Sequence, residues 1–359
     1  MKQDCLLCER TAPDHNLYCQ EIYCPAEMSP TILDYGDWLG NIEIVKPMIV
    51  LRSAALYEAR YLKKKVLLKV AHPGREHRDR LKREAEFFKS IRSDKTPPEF
   101  FPVWLPPYGI TQAKDDDPYG KIVLNGHLLY YCLFEYFNGE PLRDILTKKV
   151  NLWVYHIGWI MVRLASAVTA LQSKGLFHFG LSPDSVLVQL DDESGAPGAL
   201  LFDLGVISDQ HSLSAHWNPA FVAPAYTAPE LIEQPTPQPS YGTDVYGLGL
   251  ILYELLVGQP AFPFKLYSDD EVYDAVRHTR RARMTRSEDV KRAADIALTA
   301  VNQTISARYP NAAEMTKELK DAFGAVPEKK RRLNLILALL IVGAILAIAL
   351  LIAVSGARL

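Results

Sequence analysis

The feature that most restricts how this chain can fold is an uncharged apolar run near its C-terminal end. Residues 333–354 contain no charged side chain, and Asn334 is their only polar residue. As a helix, a run of this length reaches roughly 33 Å, compared with about 30 Å for the hydrocarbon core of a bilayer. The run is too long and too uniformly apolar for the buried helix of a globular core. It therefore predicts a transmembrane helix.

The charges beside this run predict its orientation. Residues 329–332 are all basic, whereas Arg358 is the only charged residue after the run. The positive-inside rule then places the preceding bulk of the chain in the cytoplasm, as a single-pass membrane protein. Residues 355–359 are expected to be a short tail with no outer sensor domain. No apolar run follows Met1, so no signal peptide is expected.

Four cysteines near the N-terminus have the spacing of a metal site. Cys5, Cys8, Cys19 and Cys24 form the pattern C-x2-C-x10-C-x4-C. In a reducing cytoplasm disulfides are disfavoured, and two close thiolate pairs match a tetrahedral zinc site. A segment this short needs such a metal to fold, so residues 1–28 are predicted to be a zinc knuckle. Free thiols or a redox pair are the alternatives, and His15 is either a replacement ligand or a loop histidine.

Composition and pattern indicate one large folded unit between these two ends. The chain has 359 residues and a formal net charge of −2, which implies no general attraction to nucleic acid. Residues 29–41 are predicted to be a linker because of their glycines and proline. Strands are predicted at residues 42–44, 48–51, 56–59 and 66–69, and at 106–111 paired with 127–136 around a hairpin tip at 114–125. Helices are predicted around residues 81–88 and at 152–174, 292–305 and 312–323.

The segment 175–188 contains a histidine, a leucine, a proline and an apolar strand in a familiar order. It resembles the catalytic loop of the eukaryotic-type Ser/Thr protein kinases, H-R-D-L-x-x-x-N. Apart from the histidine, the polar residues of that pattern are replaced. The positions of its Arg, catalytic Asp, loop Lys and magnesium-binding Asn are occupied by Phe179, Gly180, Ser182 and Ser185.

Other motifs of that family are retained around this loop. Residues 66–69 resemble V-A-I-K, which makes Lys69 the phosphate-contacting lysine, and Glu84 matches its partner on the following helix. Residues 133–139 resemble the hinge, with Glu135 beside a bulky gatekeeper, Phe134. Residues 203–205 resemble D-F-G, so Asp203 is the expected magnesium ligand. The resemblance implies that any ATP and magnesium would be bound by Lys69, Glu84, Glu135 and Asp203; otherwise these are solvated surface charges and a turn aspartate.

At other positions of the family, residues that contact the phosphates or the catalytic residues are replaced, whereas residues with a structural role are kept. The family's phosphate-loop glycines correspond to Ile49, Leu51 and Ala54, and a bridging threonine of the activation segment corresponds to Ala223. Structural positions are kept: Asp244 is expected to cap the catalytic loop, and Arg308 to pair with Glu230. In the activation segment the hydroxyls of three serines are candidate phosphate acceptors: Ser208, Ser212 and Ser214.

The resemblance implies an α+β, bilobal protein-kinase-like fold over residues 42–324, followed by a basic juxtamembrane linker at 325–332. The joint loss of polar groups indicates a membrane-tethered pseudokinase that binds a signalling protein, with ATP binding left open. The alternative is an active atypical Ser/Thr kinase in which Asp184 replaces the missing base. A third hypothesis makes the zinc knuckle the interaction surface and the large domain only a spacer.

Overall fold

The structure is a computed structural model that describes most of the central domain. The described residues are 32–92, 99–107, 117–124, 127–148, 152–190, 196–204, 207–232, 239–262, 267–278, 284 and 290–326, together with 3–4 and 11–12. The last two dipeptides are short strands, β1 (Gln3–Asp4) and β2 (Thr11–Ala12), which pair antiparallel. The four candidate zinc ligands and the predicted transmembrane run lie outside the described residues.

An antiparallel sheet with one helix against it forms the N-terminal lobe. Its strands are β3 (Trp38–Leu39), β4 (Ile42–Val50), β5 (Ala54–Tyr61), β6 (Lys64–Ala71), β7 (Trp104–Leu105), β8 (Gly120–Leu124) and β9 (His127–Glu135). They lie in the order β3-β4-β5-β6-β9-β7, and β8 also pairs with β9. The helix α1 (Arg75–Arg92) buries Leu81, Ala85 and Phe88 as its amphipathic pattern predicts.

The two faces of this sheet belong to different hydrophobic clusters, because successive strand residues point to opposite sides. On β6, Val66 and Leu68 join an outer cluster with Leu33 and Leu39. Leu67, between them, joins the large inner cluster that continues into the second lobe. Leu33 and Leu39 lie within the predicted linker 29–41, so the domain starts earlier than the predicted boundary at residue 42.

The C-terminal lobe is helical, with a small three-stranded sheet facing the first lobe. This sheet consists of β10 (Glu140–Pro141), β11 (Val186–Gln189) and β12 (Gly198–Leu201). Its helices are α2 (Leu142–Thr147), α3 (Val154–Ser173), α4 (Leu213–His216), α5 (Tyr241–Val257), α6 (Asp269–His278), α7 (Lys291–Ala300) and α8 (Ala312–Phe323). Helix α5 is buried along nearly its whole length, which makes it the central support of the lobe.

Helix α3 follows its sequence prediction closely. It ends before Gly175, whose positive φ of 73° is the left-handed conformation of a helix-terminating glycine. By length and apolar composition, α3 would suffice to cross a bilayer, but more than half of it is buried inside the domain. It is therefore a core helix.

Two strand predictions require correction. The predicted strand 106–111 does not form at Pro106 and Pro107, and residues 108–116 lie outside the described residues. Instead β9 pairs with β7 and with β8, which lies inside the predicted hairpin tip 114–125. Gly120 permits this pairing because a Cβ there would lie 2.0 Å from the Tyr131 ring. Strand β4 is continuous through Pro47, where shifts in the pairing register accommodate the missing N–H.

Candidate functional site

Lys69 lies at the centre of a buried ion cluster between the two lobes. Its ammonium group on β6 pairs with Glu84 of α1 and with Asp203, whose Oδ1 is 2.5 Å away, just after β12. The lysine is 1 % exposed, which excludes the alternative that it is a solvated surface charge. The structure thus brings three of the four predicted nucleotide ligands together.

Lys69 pairs directly with two carboxylates in this cluster, and the pKa values reflect their combined charge. Burial alone would lower the pKa of Lys69, but the charges of Asp203 and Glu84 outweigh it and raise that pKa. Burial raises the pKa of Glu84 to about 7, because Lys69 only partly offsets desolvation and the neighbouring charge of Asp203. The Lys69 ammonium is therefore permanently charged and fully engaged.

The fourth predicted ligand does not join this cluster. Glu135 is the last residue of β9, and its side chain is exposed. Its backbone N–H donates to the carbonyl of Val103 at 2.8 Å, while its neighbour in the sheet is Val66. Glu135 therefore lies outside the ion cluster of Lys69, and its part in nucleotide binding stays a prediction.

The phosphate-loop region carries buried apolar side chains. Where the family has phosphate-loop glycines, Ile49 and Leu51 are 7 % and 8 % exposed and belong to the inner cluster. The inner faces of both lobes contribute further side chains to that cluster, each at most 1 % exposed: Leu56, Leu67, Phe134, Leu187 and Phe202. Buried apolar side chains at the two phosphate-loop positions leave less room for the phosphates of a nucleotide than glycines would.

The turn that bears Leu51 is also held by hydrogen bonds. The Leu51 N–H donates to the Ala54 carbonyl at 2.8 Å, and Nε2 of His72 donates to the Leu51 carbonyl at 2.8 Å. At the tip, Arg52 makes two bonds to the carboxylate of Asp269 on α6, at 2.7 and 3.1 Å. It also donates to the Ala220 carbonyl at 3.3 Å. These contacts bridge the lobes at the mouth of the cleft.

The catalytic-loop segment is a hydrogen-bonded turn with its polar groups directed inward. The Ser185 hydroxyl donates to the Ser182 carbonyl at 2.8 Å and accepts from the Ser182 N–H at 3.3 Å. Ser182 and Ser185 thus cap the short 3-10 helix Pro183–Ser185 reciprocally. Ser185, at the position of the magnesium-binding Asn, is 1 % exposed, and its hydroxyl is bonded within its own turn.

Asp184, considered as a replacement base, is committed to a different cluster. Both its oxygens accept from Arg143 of α2 at 3.3 Å. Arg143 also donates to Glu254 at 3.0 Å and to the Tyr226 hydroxyl at 2.9 Å. A carboxylate whose two oxygens both accept hydrogen bonds from a guanidinium is not free to take a proton from a substrate hydroxyl.

An aromatic side chain stands where the family has the arginine of its catalytic loop. Phe179 has a φ of 58°, an uncommon conformation for a residue other than glycine. Its ring stacks on Phe177 with centroids 4.8 Å apart and meets Trp217 edge-on at 6.4 Å. The prediction that Asp244 caps this loop is confirmed. Its carboxylate accepts hydrogen bonds from the backbone N–H groups of His178 at 3.0 Å and Phe179 at 2.9 Å.

The activation segment packs against both lobes. Arg80 of α1 lies over the Phe221 ring, 4.2 Å from its centroid, and donates to the His216 carbonyl. On the other side, the Tyr273 hydroxyl donates to the Pro219 carbonyl at 3.1 Å. Of the candidate phosphate acceptors, Ser208 is buried and bonded to His216, and Ser212 bonds Asp209. The side chain of Ser214 lies outside the described residues.

His178 makes the folded state sensitive to acid. Burial lowers the pKa of His178 from 6.5 to about 4. Its Nε2–H donates to the Asp203 carbonyl at 2.6 Å, and its Nδ1 accepts from the Gly180 N–H at 3.2 Å, so the neutral ring fits both bonds. Because the pKa of His178 is lower in the folded state than in the unfolded chain, the contribution of the neutral ring to the free energy of unfolding is fully present above pH 6.5. We expect it to fall by about 3 kcal/mol as the pH drops to about 4.

This expectation is tested by urea unfolding across that pH window. His178→Gln keeps a donor near the Asp203 carbonyl but cannot be protonated, so its unfolding free energy should fall less on acidification than that of the wild type. Equal slopes for the two proteins would contradict the assignment. His211, which is exposed, supplies the control histidine through His211→Gln.

Comparison with known proteins gives the same family as the motifs. Residues 122–332 match the family described as protein kinase domain. A serine/threonine-protein kinase of Drosophila melanogaster is 32 % identical over 149 residues, which cover 41 % of this chain and 19 % of the relative. A probable serine/threonine-protein kinase of Clostridium perfringens is 30 % identical over 148 residues, covering 41 % and 20 %. The chain thus matches about a fifth of the length of these relatives.

The sequence predicted the ion cluster of Lys69 but not the ion pairs that Arg52 and Arg143 make elsewhere in the site. Arg52, Arg143 and Asp269 are surface-type residues with no motif around them, and their partners lie 41 to 217 positions away in the chain. The one available signal was local: Ile49 and Leu51 replace glycines, which already indicated a filled phosphate loop.

Proposed function

Because the chain belongs to the protein kinase family, we propose that it is a pseudokinase, a kinase-like domain that binds a protein partner rather than transferring phosphate. The observation that carries this proposal is that the catalytic loop and the phosphate loop have both lost the residues that the chemistry needs. Ile49 and Leu51 are buried apolar side chains where the family has phosphate-loop glycines. In the catalytic loop, the family's catalytic Asp, loop Lys and magnesium-binding Asn are replaced by Gly180, Ser182 and Ser185.

Protein kinase domains in general use ATP and magnesium, but the residues present here do not fit that complex. Asp203 is the single retained metal ligand, and its charge is taken up by Lys69. Ser185 is turned into its own loop.

The tether and the zinc knuckle complete the proposal. The apolar run 333–354 would anchor the domain to the cytoplasmic face of a membrane, with the basic residues 329–332 at the lipid surface. Cys5, Cys8, Cys19 and Cys24 would hold one structural zinc per chain, which elemental analysis of the purified protein would measure. A kinase-like domain held at a membrane is suited to recruiting a signalling protein there.

A second candidate, an active atypical kinase, is favoured by one observation. The lysine, its partner glutamate and the aspartate after β12 are assembled in the arrangement that phosphoryl transfer requires. This candidate needs a general base and an open cleft. Asp184 is bound to Arg143, so another base would have to enter from a partner or substrate.

The two candidates are separated by a transfer assay. Loss of the general base alone typically costs about 10²–10⁴ in rate, so we expect phosphoryl transfer from radiolabelled ATP at least about 10²-fold below the 1–100 s⁻¹ of ordinary kinases. ATP, with or without magnesium, should not raise the melting temperature. Ordinary turnover that disappears in Asp203→Asn would overturn the pseudokinase proposal in favour of the alternative.

A further inference from the structure

A cluster of aromatic side chains is exposed at the start of α3. Trp153 and Tyr155 are 56 % and 40 % exposed, and their rings lie 4.7 Å apart. Trp159, which is half-buried, lies 6.0 Å from Trp153 and 6.1 Å from Tyr155 between ring centroids. These three residues form the aromatic patch. Contiguous apolar surface of this kind usually marks an interaction site.

The aromatic patch is fixed to the C-terminal end of the domain. The Phe323 ring, at the end of α8, packs directly on Gly158, where an added Cβ would come within 2.2 Å of it. The Trp159 indole N–H donates to the Phe323 carbonyl at 3.2 Å, and the Tyr155 ring meets Phe323 edge-on at 6.1 Å. The patch and the end of α8 therefore form one rigid corner.

The chain leaves the described domain at this corner. Val326, the last described residue, still packs against the inner cluster. Only residues 327–332 separate it from the predicted membrane run, and four of these six are basic. Even fully extended, seven peptide steps reach no more than about 25 Å. If residues 333–354 span a bilayer, the corner is confined to the neighbourhood of its surface.

We propose that the aromatic patch docks into the headgroup region of a bilayer containing anionic lipid. This inference rests on the membrane tether of the proposed function. Trp and Tyr rings combine an apolar body with a polar edge and concentrate at this interface. Basic residues 329–332 supply the attraction to anionic lipid, and Arg292, exposed and bonded to the Asp321 carbonyl on α8, adds a positive group beside the corner. Docking would fix how the cleft faces the cytoplasm.

Tryptophan quenching in the full chain tests this proposal. The protein is reconstituted into liposomes of phosphatidylcholine and phosphatidylserine whose acyl chains are brominated close to the glycerol. We expect quenching of emission, and a quenched share of that emission that Trp153→Ser lowers, whereas losing an average one of the five tryptophans would leave that share unchanged. Trp38→Ser is the matched control, because Trp38 on β3 is also 56 % exposed but belongs to the other lobe. It should not lower the quenched share.

Anchoring is measured separately by alkaline extraction of the same liposomes. Protein that stays in the membrane but shows equal quenching in the Trp153→Ser and Trp38→Ser variants would overturn docking while leaving the tether intact. Protein that is extracted would overturn both. A dimer in detergent that dissociates in a Trp153→Ser/Tyr155→Ser variant would assign the patch to a second copy of the chain, and would also overturn lipid docking.

Discussion

Replacing Lys69 with methionine is expected to lower the free energy of unfolding by about 3–5 kcal/mol, a loss large enough to threaten folding. The substitution removes the cation between Glu84 and Asp203, two carboxylates that burial separates from water. Methionine has a similar volume, so the loss measures charge rather than packing. Urea unfolding followed by far-ultraviolet circular dichroism gives the quantity directly.

The matched control lies four residues earlier on the same strand. Lys65 pairs with Glu58 at 2.7 Å, but its side chain is 54 % exposed, and Glu58 also has Lys46 at 3.7 Å as a second cation. Because water reaches Lys65 and Glu58 keeps a partner, Lys65→Met should lower stability much less than Lys69→Met. If the two variants were equally stable, Lys69 would have no structural role, and its retention would have to be explained by nucleotide binding.

The Lys69→Met variant should also acquire a distinct pH dependence. Burial already raises the pKa of Glu84 to about 7 from 4.5, and removing its cation raises that pKa further. A carboxyl whose folded pKa is raised stabilises the fold at low pH and loses that contribution as pH rises through the folded value. The variant should therefore be most deficient at alkaline pH. Adding Glu84→Gln should recover stability there, which a double-mutant cycle would measure.

These expectations depend on a part of the site that the sequence predicted well. Lys69, Glu84 and Asp203 occupy fixed places in motifs whose strands and helix were also recognised, and the Asp244 cap and the Arg308 pair were found the same way. Such positions are predictable because a short local pattern identifies each partner. The long amphipathic helix α3 was predictable from its periodicity for a similar reason.

What the sequence did not disclose are the contacts without a local pattern. The bond from Arg52 to Asp269 joins residues 217 positions apart, and arginine and aspartate are common in loops everywhere. Strand β8 was hidden because an acidic turn precedes it, and its place in the sheet depends on Tyr131 packing against Gly120. Leu33 and Leu39 lie among glycines and a proline that indicated a linker, and only the outer face of the sheet shows why they are buried.

The second large effect is expected at Arg308, which supports the end of the activation segment. Its guanidinium makes paired bonds to Glu230 at 2.8 and 2.9 Å, and donates to the carbonyls of Asn302, Gln303 and Gly242. It also lies 4.6 Å from the centroid of the Tyr246 ring. We expect Arg308→Met to lower the free energy of unfolding by about 3–5 kcal/mol, since a buried carboxylate and three carbonyls lose their donor.

The lysine variant separates charge from geometry at this position. Arg308→Lys keeps the cation but cannot reproduce a planar fork that serves five acceptor atoms, so its stability should lie between those of Arg308→Met and the wild type. Arg277 is the control, because its pair with Asp274 at 2.8 Å is exposed and Arg277→Lys should cost less than about 1 kcal/mol.

Local dynamics should report the same loss. Glu230 ends the segment that Arg80 and Tyr273 hold from either side, so Arg308→Met should speed hydrogen exchange in residues 219–231 more than in α3. Uniform acceleration across the domain would mean that Arg308 only contributes to global stability. Acceleration confined to the segment would mean that Arg308 fixes the shape of this surface, which the proposed protein partner would need.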